Sequence, residues 1–452
     1  MRTMMIISII LPLLCVAIKD SSLSQQSYEY DIIFKNGHVI DPANNIDKVC
    51  DIAVKDGKIA IVKNTIEASK AKRVANVSGL YLSPGFIDIH THVYGGLVAD
   101  HHNFNSGVTT VVGAGTVGAS NFEQFKEIID KSRVRILSLL NISEKGMLGN
   151  NDPTTFDVDL AVETALKYPD IIVGFKSVRY SYWHRLDEGL PLYDTIHTPW
   201  ASVDSTQQAG IRAGLPTMHH FDPEPAHDGR PARTQREFLL EKLRPGDMYT
   251  HCFRRKHPVI MDDGTLNPDF VEAQKKGIIF DIGHGANSFV YRNAIPAIRQ
   301  GFLPNSISTD IHGGNVNDVV INMLHVMSKC LNIGMTLEDV IRCSTINPAQ
   351  QINRPELGSL TVGNPADIAV FDVEKGDFTY LDITLGYSDE GSGGTIKGDR
   401  KMVHMMTVFG GAIVSDPYGL SFPQWEDIPG DDDYWKSHGT GLKVAPKDAY
   451  VK

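Results

Sequence analysis

Two stretches of the chain, residues 28–84 and 353–420, alternate short β-branched runs with turn residues. The first contains the dipeptides Asn36-Gly37 and Asp56-Gly57, which favour tight hairpin turns. The second shows the same pattern in GSLTVGNPADIAVFDVEKGDF and VHMMTVFGGAIV. Neither stretch is long enough to form a good sandwich alone. We therefore expect both ends of the chain to join in one small, discontinuous β-sandwich domain.

The central part of the chain, residues 85–352, has a different pattern, in which short apolar runs alternate with helical stretches. Such alternation is typical of βα units that build a parallel sheet. The candidate strands are GFIDIHTHV, GVTTVVGA, VRILSLLNIS, IIVGFKSV, LPTMHHF, DMYTHCF, IIFDIGHG and SISTDIH. Eight units in about 265 residues is the usual size of a closed barrel. The pattern therefore predicts an α/β chain with a (β/α)8 TIM barrel.

Helical stretches separate most of these strand candidates, including NFEQFKEIIDKS, DVDLAVETALKY, TQREFLLEKLR and residues 317–331. A further helix is predicted to begin at Thr336, because Thr336 and Asp339 fit a capping-box-like start. Two long connections, residues 179–200 and 222–233, follow the fourth and fifth strands. Barrel enzymes place their active sites at these strand ends, so both connections are candidate substrate-covering loops. The alternative is ordinary surface loops.

The composition is that of an ordinary soluble globular protein, with 42% hydrophobic and 21% charged residues. The formal net charge is −11, and acidic and basic residues are interspersed. Without a basic stripe to hold a phosphate backbone, nucleic acid is not an expected partner. The cysteines beyond residue 27 include no CxxC pair, so we expect them to be packing residues.

Residues 1–27 have the layout of a secretory signal peptide and linker. Arg2 precedes an apolar run of about a dozen residues, and a Ser-rich stretch follows. The run is short for a transmembrane helix. We expect an exported protein, periplasmic or extracellular, with no stable membrane insertion after cleavage; the alternative is an uncleaved anchor. Residues 421–452 form a C-terminal tail in this division of the chain.

Residues that can bind metal fall near the ends of the strand candidates. His90 and His92 end the first strand, and since residues i and i+2 of a strand share a face, both can point into the barrel mouth. Other strands contribute Lys176, His219, His220, His251 and Asp310. Polar groups buried without partners are costly, and a metal site accounts for all of them. The adjacent histidines of the fifth strand must point to opposite sides, so one of the two is a ligand candidate.

The segments that carry these residues resemble a known family. PGFIDIHTHVYGG is similar to the strand-one signature of the amidohydrolase superfamily, Pro-Gly-x-x-Asp-x-His-x-His. The similarity continues through VGFKS, LPTMHHF, RPGDMYTHCF, GIIFDIGHG, GFLPNSISTDIHGGNVND and GMTLEDVIRCSTINPAQ, and it ends in LGSLTVGNPADIAVFD. The pattern resembles the amidohydrolase/deacetylase metallohydrolases, close to dihydroorotase-like and N-acyl-amino-acid deacylase enzymes.

The resemblance implies two divalent metal ions, with zinc expected, and the ligands His90, His92, Lys176, His220, His251 and Asp310. The family's Leu-Pro-x-Met-x-His register selects His220 rather than His219. Lys176 would react with CO2 to give a carbamate that bridges the ions, because an ammonium group would repel them. A hydroxide held between the ions is the expected nucleophile. Asp310 would be the catalytic acid and base that accepts the water proton and passes it to the leaving group.

Three further residues are candidate substrate contacts. Arg179 follows the fourth strand and could hold a substrate carboxylate, and His312 follows Asp310 closely. His284 lies in the seventh strand candidate and could contact substrate or the transition state. The alternative for His284 is a hydrogen bond to a backbone carbonyl.

Together these features predict a binuclear hydrolase that cleaves an amide, by deacylation or cyclic amide opening, or a related ester of a small molecule. A deaminase of this superfamily would carry a glutamate three residues after the strand-five histidine, where this chain has Pro223. A phosphotriesterase-like hydrolase is compatible with the ligand set. A non-catalytic scaffold would lack several ligand positions, which are all filled. The substrate and the possible formation of a homo-oligomer stay open.

Overall fold

The structure is a computed structural model that describes residues 27–93, 99–149, 151–180, 198–226, 232–257, 259–384 and 393–422. Residues 1–26 of the signal-peptide prediction, residues 181–197 of the first long connection, residues 227–231 of the second and residues 423–452 of the tail therefore lie outside the described residues. Within these ranges, every helix falls short of the length and apolar character needed to cross a membrane.

The described chain begins with the strands β1 (Tyr30–Asp41), β2 (Ile46–Lys55), β3 (Lys58–Lys63), β4 (Ala71–Asn76) and β5 (Tyr81–Pro84). The hairpin expected at Asp56-Gly57 is confirmed: the dipeptide joins β2 to β3, with φ angles of 49° and 76°. The hairpin expected at Asn36-Gly37 is wrong. These residues form a bulge inside β1, where the pairing with β2 shifts between Phe34 and Gly37. The positive φ of Asn36 takes up an extra residue instead of reversing the chain.

The central part forms a parallel sheet in which each strand pairs with the next in the chain. Its strands are β6 (Phe86–Thr91), β7 (Val108–Gly118), β8 (Arg135–Asn141), β9 (Ile172–Lys176), β10 (Thr217–His219), β11 (Met248–Tyr249) and β12 (Ile279–Phe280). The eighth candidate is not a regular strand, but it bridges both neighbours in parallel, Ser306 with Asp281 and Ile311 with Thr91. These bridges close the sheet into the expected barrel.

Helices alternate with the barrel strands. They are α1 (Ala99–Phe104), α2 (Phe122–Lys131), α3 (Val158–Lys167), α4 (Ala201–Ala213), α5 (Pro268–Lys276), α6 (Tyr291–Arg299), α7 (Met323–Asn332), α8 (Leu337–Arg342) and α9 (Ile346–Gln351). The segment Glu237–Lys242 is a π-helical turn. The cap expected at Thr336 is confirmed, because its side chain accepts a hydrogen bond from the Asp339 amide. The helix expected from residue 317 begins later, where Asn322 caps α7.

The chain after the barrel adds β13 (Ile368–Leu381), β14 (Thr395–Phe409) and β15 (Ala412–Ser415). These strands extend the N-terminal sheet, because β13 pairs antiparallel with β5. One apolar core unites the two ends, with Leu82 from the first and Val370 and Met406 from the second. The prediction that both chain ends build a single β domain beside the barrel is confirmed.

Candidate metal centre

The residues predicted as metal ligands line one pocket of about 370 Å³: His90, His92, Lys176, His220, His251 and Asp310. Each comes from the carboxyl end of a different strand or strand candidate, apart from His90 and His92, which lie at the end of β6 and directly after it. Parallel barrel strands bring these ends to the same rim. Residues far apart in sequence therefore share one site.

Three of these side chains lie close enough together to share one ion. Suitable ligand atoms of His90, His92 and Asp310 all lie within 4.8 Å of one another. Oδ1 of Asp310 is 3.1 Å from Nε2 of His92 and 3.6 Å from Nε2 of His90. Two imidazoles and a carboxylate are a donor set that suits zinc and similar ions.

His90 and His92 are both oriented by hydroxyl groups. Nδ1 of His90 is 2.8 Å from Oγ1 of Thr250, and Nδ1 of His92 is 2.8 Å from Oγ1 of Thr116. With Nδ1 hydrogen-bonded, Nε2 of each ring is the nitrogen available for a metal ion. Such hydrogen bonds from the second ring nitrogen are usual for metal-binding histidines.

A buried carboxylate, Asp281, supports His90 from behind. It accepts hydrogen bonds from the hydroxyl groups of Thr250, Ser306 and Ser308. Since the Thr250 hydroxyl donates to Asp281 at 2.7 Å, its oxygen is free to accept from Nδ1 of His90. The sequence analysis missed Asp281, although an aspartate in the otherwise apolar run IIFDIG is a visible signal.

Two of the ligand candidates have left-handed backbone conformations, with φ of 64° at His251 and 48° at Asp310. Such angles are unusual for residues with a Cβ and are found often at functional sites. Glycines pack against both side chains. A Cβ on Gly283 would lie 2.7 Å from Nδ1 of His251, and one on Gly285 would lie 2.5 Å from Oδ2 of Asp310. Any larger residue at these glycines would displace the two side chains.

Lys176 ends β9 and is buried in the pocket. Burial lowers its pKa to about 8, although the carboxylates of Asp310 and Asp281 oppose the shift. Space for its stem comes from Gly115, which has a φ of 79° and where a Cβ would lie 2.7 Å from Cγ of Lys176. A larger fraction of Lys176 is therefore in the neutral amine form near pH 7 than for a lysine in water.

The two adjacent histidines of the fifth strand have different surroundings. His219 is fully buried, with Nε2 2.8 Å from Oγ1 of Thr217, whereas His220 lines the pocket. Nε2 of His220 lies 2.8 Å from Nη1 of Arg254, so a cation beside that nitrogen is excluded. His220 could ligate a metal ion only through Nδ1, which requires the ring proton on Nε2 and a displaced Arg254 guanidinium, because arginine can only donate to that nitrogen.

The protonation states suit metal binding. Burial holds the pKa of His220 and His251 well below the usual histidine value, so both imidazoles keep a lone pair. Burial opposes ionisation of Asp310, but His90 and His92 outweigh that effect and hold the pKa of its carboxyl below the usual range. Neutral imidazoles facing an ionised carboxylate are the forms that a divalent ion requires.

The three substrate-contact candidates divide into two groups. Arg179 and His312 line the pocket. His284 is fully buried behind it, with Nδ1 2.9 Å from the Gly285 carbonyl and Nε2 2.9 Å from Nζ of Lys329. The structure therefore does not bring His284 to the substrate side, because its ring is turned toward α7. Arg254, which the sequence analysis did not single out, lines the pocket instead.

Comparison with known proteins agrees with this architecture. A family model described as "Amidohydrolase family" matches residues 289–413. A deacetylase of Enterococcus faecalis is 31% identical over 78% of this chain and 93% of its own length. A deacetylase of Agrobacterium fabrum is 35% identical over 72% of this chain and 79% of its own length.

A solved structure described as an adenine deaminase superimposes with a TM-score of 0.72 at 29% identity. The match covers 85% of this chain and 99% of the other. Its TIM-barrel architecture is the one seen here, with a β domain beside the barrel. The 31% identity to the Enterococcus faecalis deacetylase, over 93% of that protein's length, places the chain in the amidohydrolase family, as a hydrolase that acts on carbon–nitrogen bonds.

Proposed function

We propose that the protein is a binuclear metal-dependent deacylase that cleaves an amide, or a related ester, of a small acylated acid. The observation that carries the proposal is the position of Lys176. It lines the same pocket as His90 and His92 and as the pair formed by His220 and His251. A lysine among so many metal-binding groups is explained if its amine is converted into an anionic bridge.

In this proposal, His90 and His92 would hold the more buried ion, and His220 and His251 would hold the other. A carbamate on Lys176 would supply an anionic ligand to both ions, and Asp310 would complete the set. Zinc is the expected ion because imidazole and carboxylate-type oxygen are its usual ligands. When bound, the ions polarise the acyl carbonyl and lower the pKa of water.

The carbamate requires a neutral amine, since only the free lone pair attacks CO2. Burial favours that form at Lys176 by lowering its pKa to about 8. The reaction replaces a positive charge by a negative one beside two cations. The electrostatic balance of the pocket thus favours the modified lysine once metal is present.

Asp310 is proposed to move the proton. Its ionised carboxylate faces the pocket 3.1 Å from His92, and the Asn315 side chain donates to its backbone carbonyl at 2.9 Å. It can accept a proton from the attacking water and deliver that proton to the leaving nitrogen or oxygen. In this proposal the neighbouring imidazoles would be metal ligands, so their lone pairs would not be available for this step.

The acid part of the substrate is proposed to face the arginines. Nη1 of Arg254 donates to Oδ1 of Asp222 at 2.9 Å, and Nε of Arg179 lies 3.3 Å from Oδ2 of the same carboxylate. Two guanidinium groups against one carboxylate leave a net positive charge on this side of the pocket. Guanidinium groups bind carboxylates well because both are planar, so an acidic substrate fits.

A deaminase is the second candidate, and the superposition on an adenine deaminase favours it. The pocket argues against it in two ways. Position 223 is proline, where the deaminase pattern expects a glutamate, and Lys176 supplies a bridge that a single-metal deaminase does not need. The two activities release different products, ammonia in one case and a carboxylic acid in the other.

The test combines metal analysis with a product screen. Purified protein is incubated with N-acetyl amino acids, acetylated hydroxy acids, dihydroorotate and adenine, and acetate, ring opening and ammonia are measured separately. We expect close to two divalent ions per chain and acetate release that a chelator abolishes and zinc restores. Active protein without stoichiometric metal, or ammonia from adenine without acetate release, would contradict the proposal.

A further inference from the structure

Lys329 is a fully buried lysine that lies outside the pocket, on α7. Its Nζ donates to the backbone carbonyl of Val319 at 2.6 Å and to Nε2 of His284 at 2.9 Å. The carboxylates of Asp382 and Asp318 act to raise the pKa of Lys329, yet burial still lowers it to about 7. Burying an amine so completely is costly, and the proposed reaction gives it no chemical role.

One end of this contact is the wall of the pocket, residues 284–288. His284 donates from Nδ1 to the Gly285 carbonyl and stacks on Phe289, with ring centroids 4.9 Å apart. The wall then supplies Ala286, Asn287 and Ser288 to the pocket. Gly285 packs against Oδ2 of Asp310, so a shift of the wall would move the carboxylate.

The other end is the segment that follows the eighth strand candidate, residues 312–322. Val319, whose carbonyl accepts from Lys329, lies in it. Within this segment, the Asn315 side chain donates to the Asp310 carbonyl at 2.9 Å, and the Val320 amide donates to the Asn315 carbonyl at 3.2 Å. Nζ of Lys329 thus joins the two segments that hold Asp310, one that contacts its side chain and one that contacts its backbone.

The β domain meets the same region. The Thr384 amide donates to the Ala286 carbonyl at 2.8 Å, and the Met402 amide donates to the hydroxyl of Ser328, the neighbour of Lys329 on α7. The pocket wall is therefore held from the barrel side by Lys329 and from the β-domain side by the backbone near Thr384.

We propose that Lys329 is a positioning residue that ties the pocket wall, through His284, to the 312–322 segment and so fixes Asp310 for proton transfer. The role of Asp310 rests on the proposed function; the tie between the two segments does not. A hydrogen-bonding side chain suits this position, because a hydrogen bond fixes the relative direction of the two segments, whereas apolar packing does not. A misplacement of about 1 Å at a reacting group can cost on the order of a hundredfold in rate.

The test compares the metal-loaded wild type with Lys329→Met, which keeps the length of the side chain without a donor. Backbone hydrogen exchange is expected to rise by about tenfold or more in residues 284–288 and 319–320, but not in β6. On para-nitrophenyl acetate, kcat is expected to fall by roughly ten- to a hundredfold, with KM changed by less than about threefold. Metal content should equal that of the wild type.

Ser328→Ala is the matched control, because it removes a buried hydrogen bond on the same helix that does not reach the pocket wall. It should lower the melting temperature and leave kcat unchanged. A second pair, His284→Gln and His284→Leu, decides the matter if Lys329→Met does not fold. Glutamine can still accept from Lys329, so Gln should retain most of the turnover that Leu loses.

Unchanged exchange in both segments overturns the proposal, as do loss of metal in Lys329→Met or equal turnover in the two His284 variants. Failure of the proposed function has a different signature. In that case, wild-type protein has no metal-dependent ester hydrolysis, while Lys329→Met still raises exchange in the pocket wall.

Discussion

At the scale of single residues, the orientation of the metal-ligand candidates is set by hydrogen-bonding groups that are not themselves ligand candidates. Thr250 and Asp281 orient His90, and Thr116 orients His92. These hydrogen bonds fix which nitrogen of each ring faces the pocket, and they also restrict ring rotation. The hydroxyl groups therefore hold each ring in an orientation that presents Nε2 to the pocket.

Asp310→Asn tests the proton-transfer role. The amide keeps an oxygen for the metal but cannot exchange a proton, so turnover should fall on the order of a hundredfold or more with metal content nearly unchanged. Turnover on the best substrate of the screen and bound zinc per chain are the measurements. Asp262→Asn, at an exposed aspartate, is the control and should behave as wild type. Near-normal turnover in Asp310→Asn would remove this residue from the mechanism.

Lys176→Ala tests the bridge. Without an anionic bridge, two nearby cations repel each other, so this variant should lose metal as well as activity. Adding formate or acetate should restore a small part of both, because a short carboxylate can occupy the bridging position. Bound zinc and turnover, each measured with and without added carboxylate, check the prediction. A Lys176→Ala variant with normal metal content and turnover would refute the bridge.

At the scale of elements, the ends of the strands decide the site, and glycines make those ends possible. β7 passes directly behind Lys176, and at Gly115 it has a left-handed backbone and no room for a side chain. The segments after β11 and β12 show the same relation, with Gly283 against His251 and Gly285 against Asp310. Small residues beside long polar ones let the strands approach closely enough to share ligands.

Gly115→Ala tests this relation, with Gly214→Ala as the matched control. Both glycines have positive φ, near 79° and 68°, but only a Cβ at Gly115 would meet Lys176. Each variant should lose about 1–2 kcal/mol of folding free energy from the backbone alone. Only Gly115→Ala should also lose metal and turnover, measured beside thermal unfolding. Equal metal content in both variants would show that the contact with Lys176 is unimportant.

At the scale of the whole molecule, the β domain is a part of the barrel's support. Its sheet is continuous only because β13 from the end of the chain pairs with β5 from the beginning. Its core takes residues from both. The same C-terminal strands pack on α7 through Ser328 and reach the pocket wall through Thr384. Loss of one chain end should therefore destabilise the β domain and shift the pocket wall.

Deletion of residues 353–452 tests this dependence. It removes the C-terminal part of the apolar core around Leu82, including Val370 and Met406, and leaves the partner edge of β5 exposed, so the shortened chain should be insoluble or unstable. Soluble yield and thermal unfolding are the measurements. Co-expression of the deleted piece as a separate chain should restore part of the soluble yield. Unchanged melting of the shortened chain would show that the two β segments are independent.

The sequence by itself determined what depends on local periodicity. The alternation of apolar runs with helical stretches predicted the barrel. The i and i+2 spacing predicted that His90 and His92 share a face, and the dipeptide Asp56-Gly57 predicted the turn between β2 and β3. These features follow from backbone geometry within a few residues. The pairing of the two chain ends was also predicted, because neither end could bury its apolar face alone.

Only the tertiary structure decided which way the remaining side chains point. Asn36-Gly37 became a bulge because β1 continues along partners on both sides. His284 turned from the pocket because Lys329, 45 positions further along the chain, offers a buried donor. Arg254 joined the pocket because Asp222 and His220 hold its guanidinium there. In each case the deciding partner is distant in sequence. In a packed interior, such partners set the orientation of a side chain, and the local sequence pattern does not.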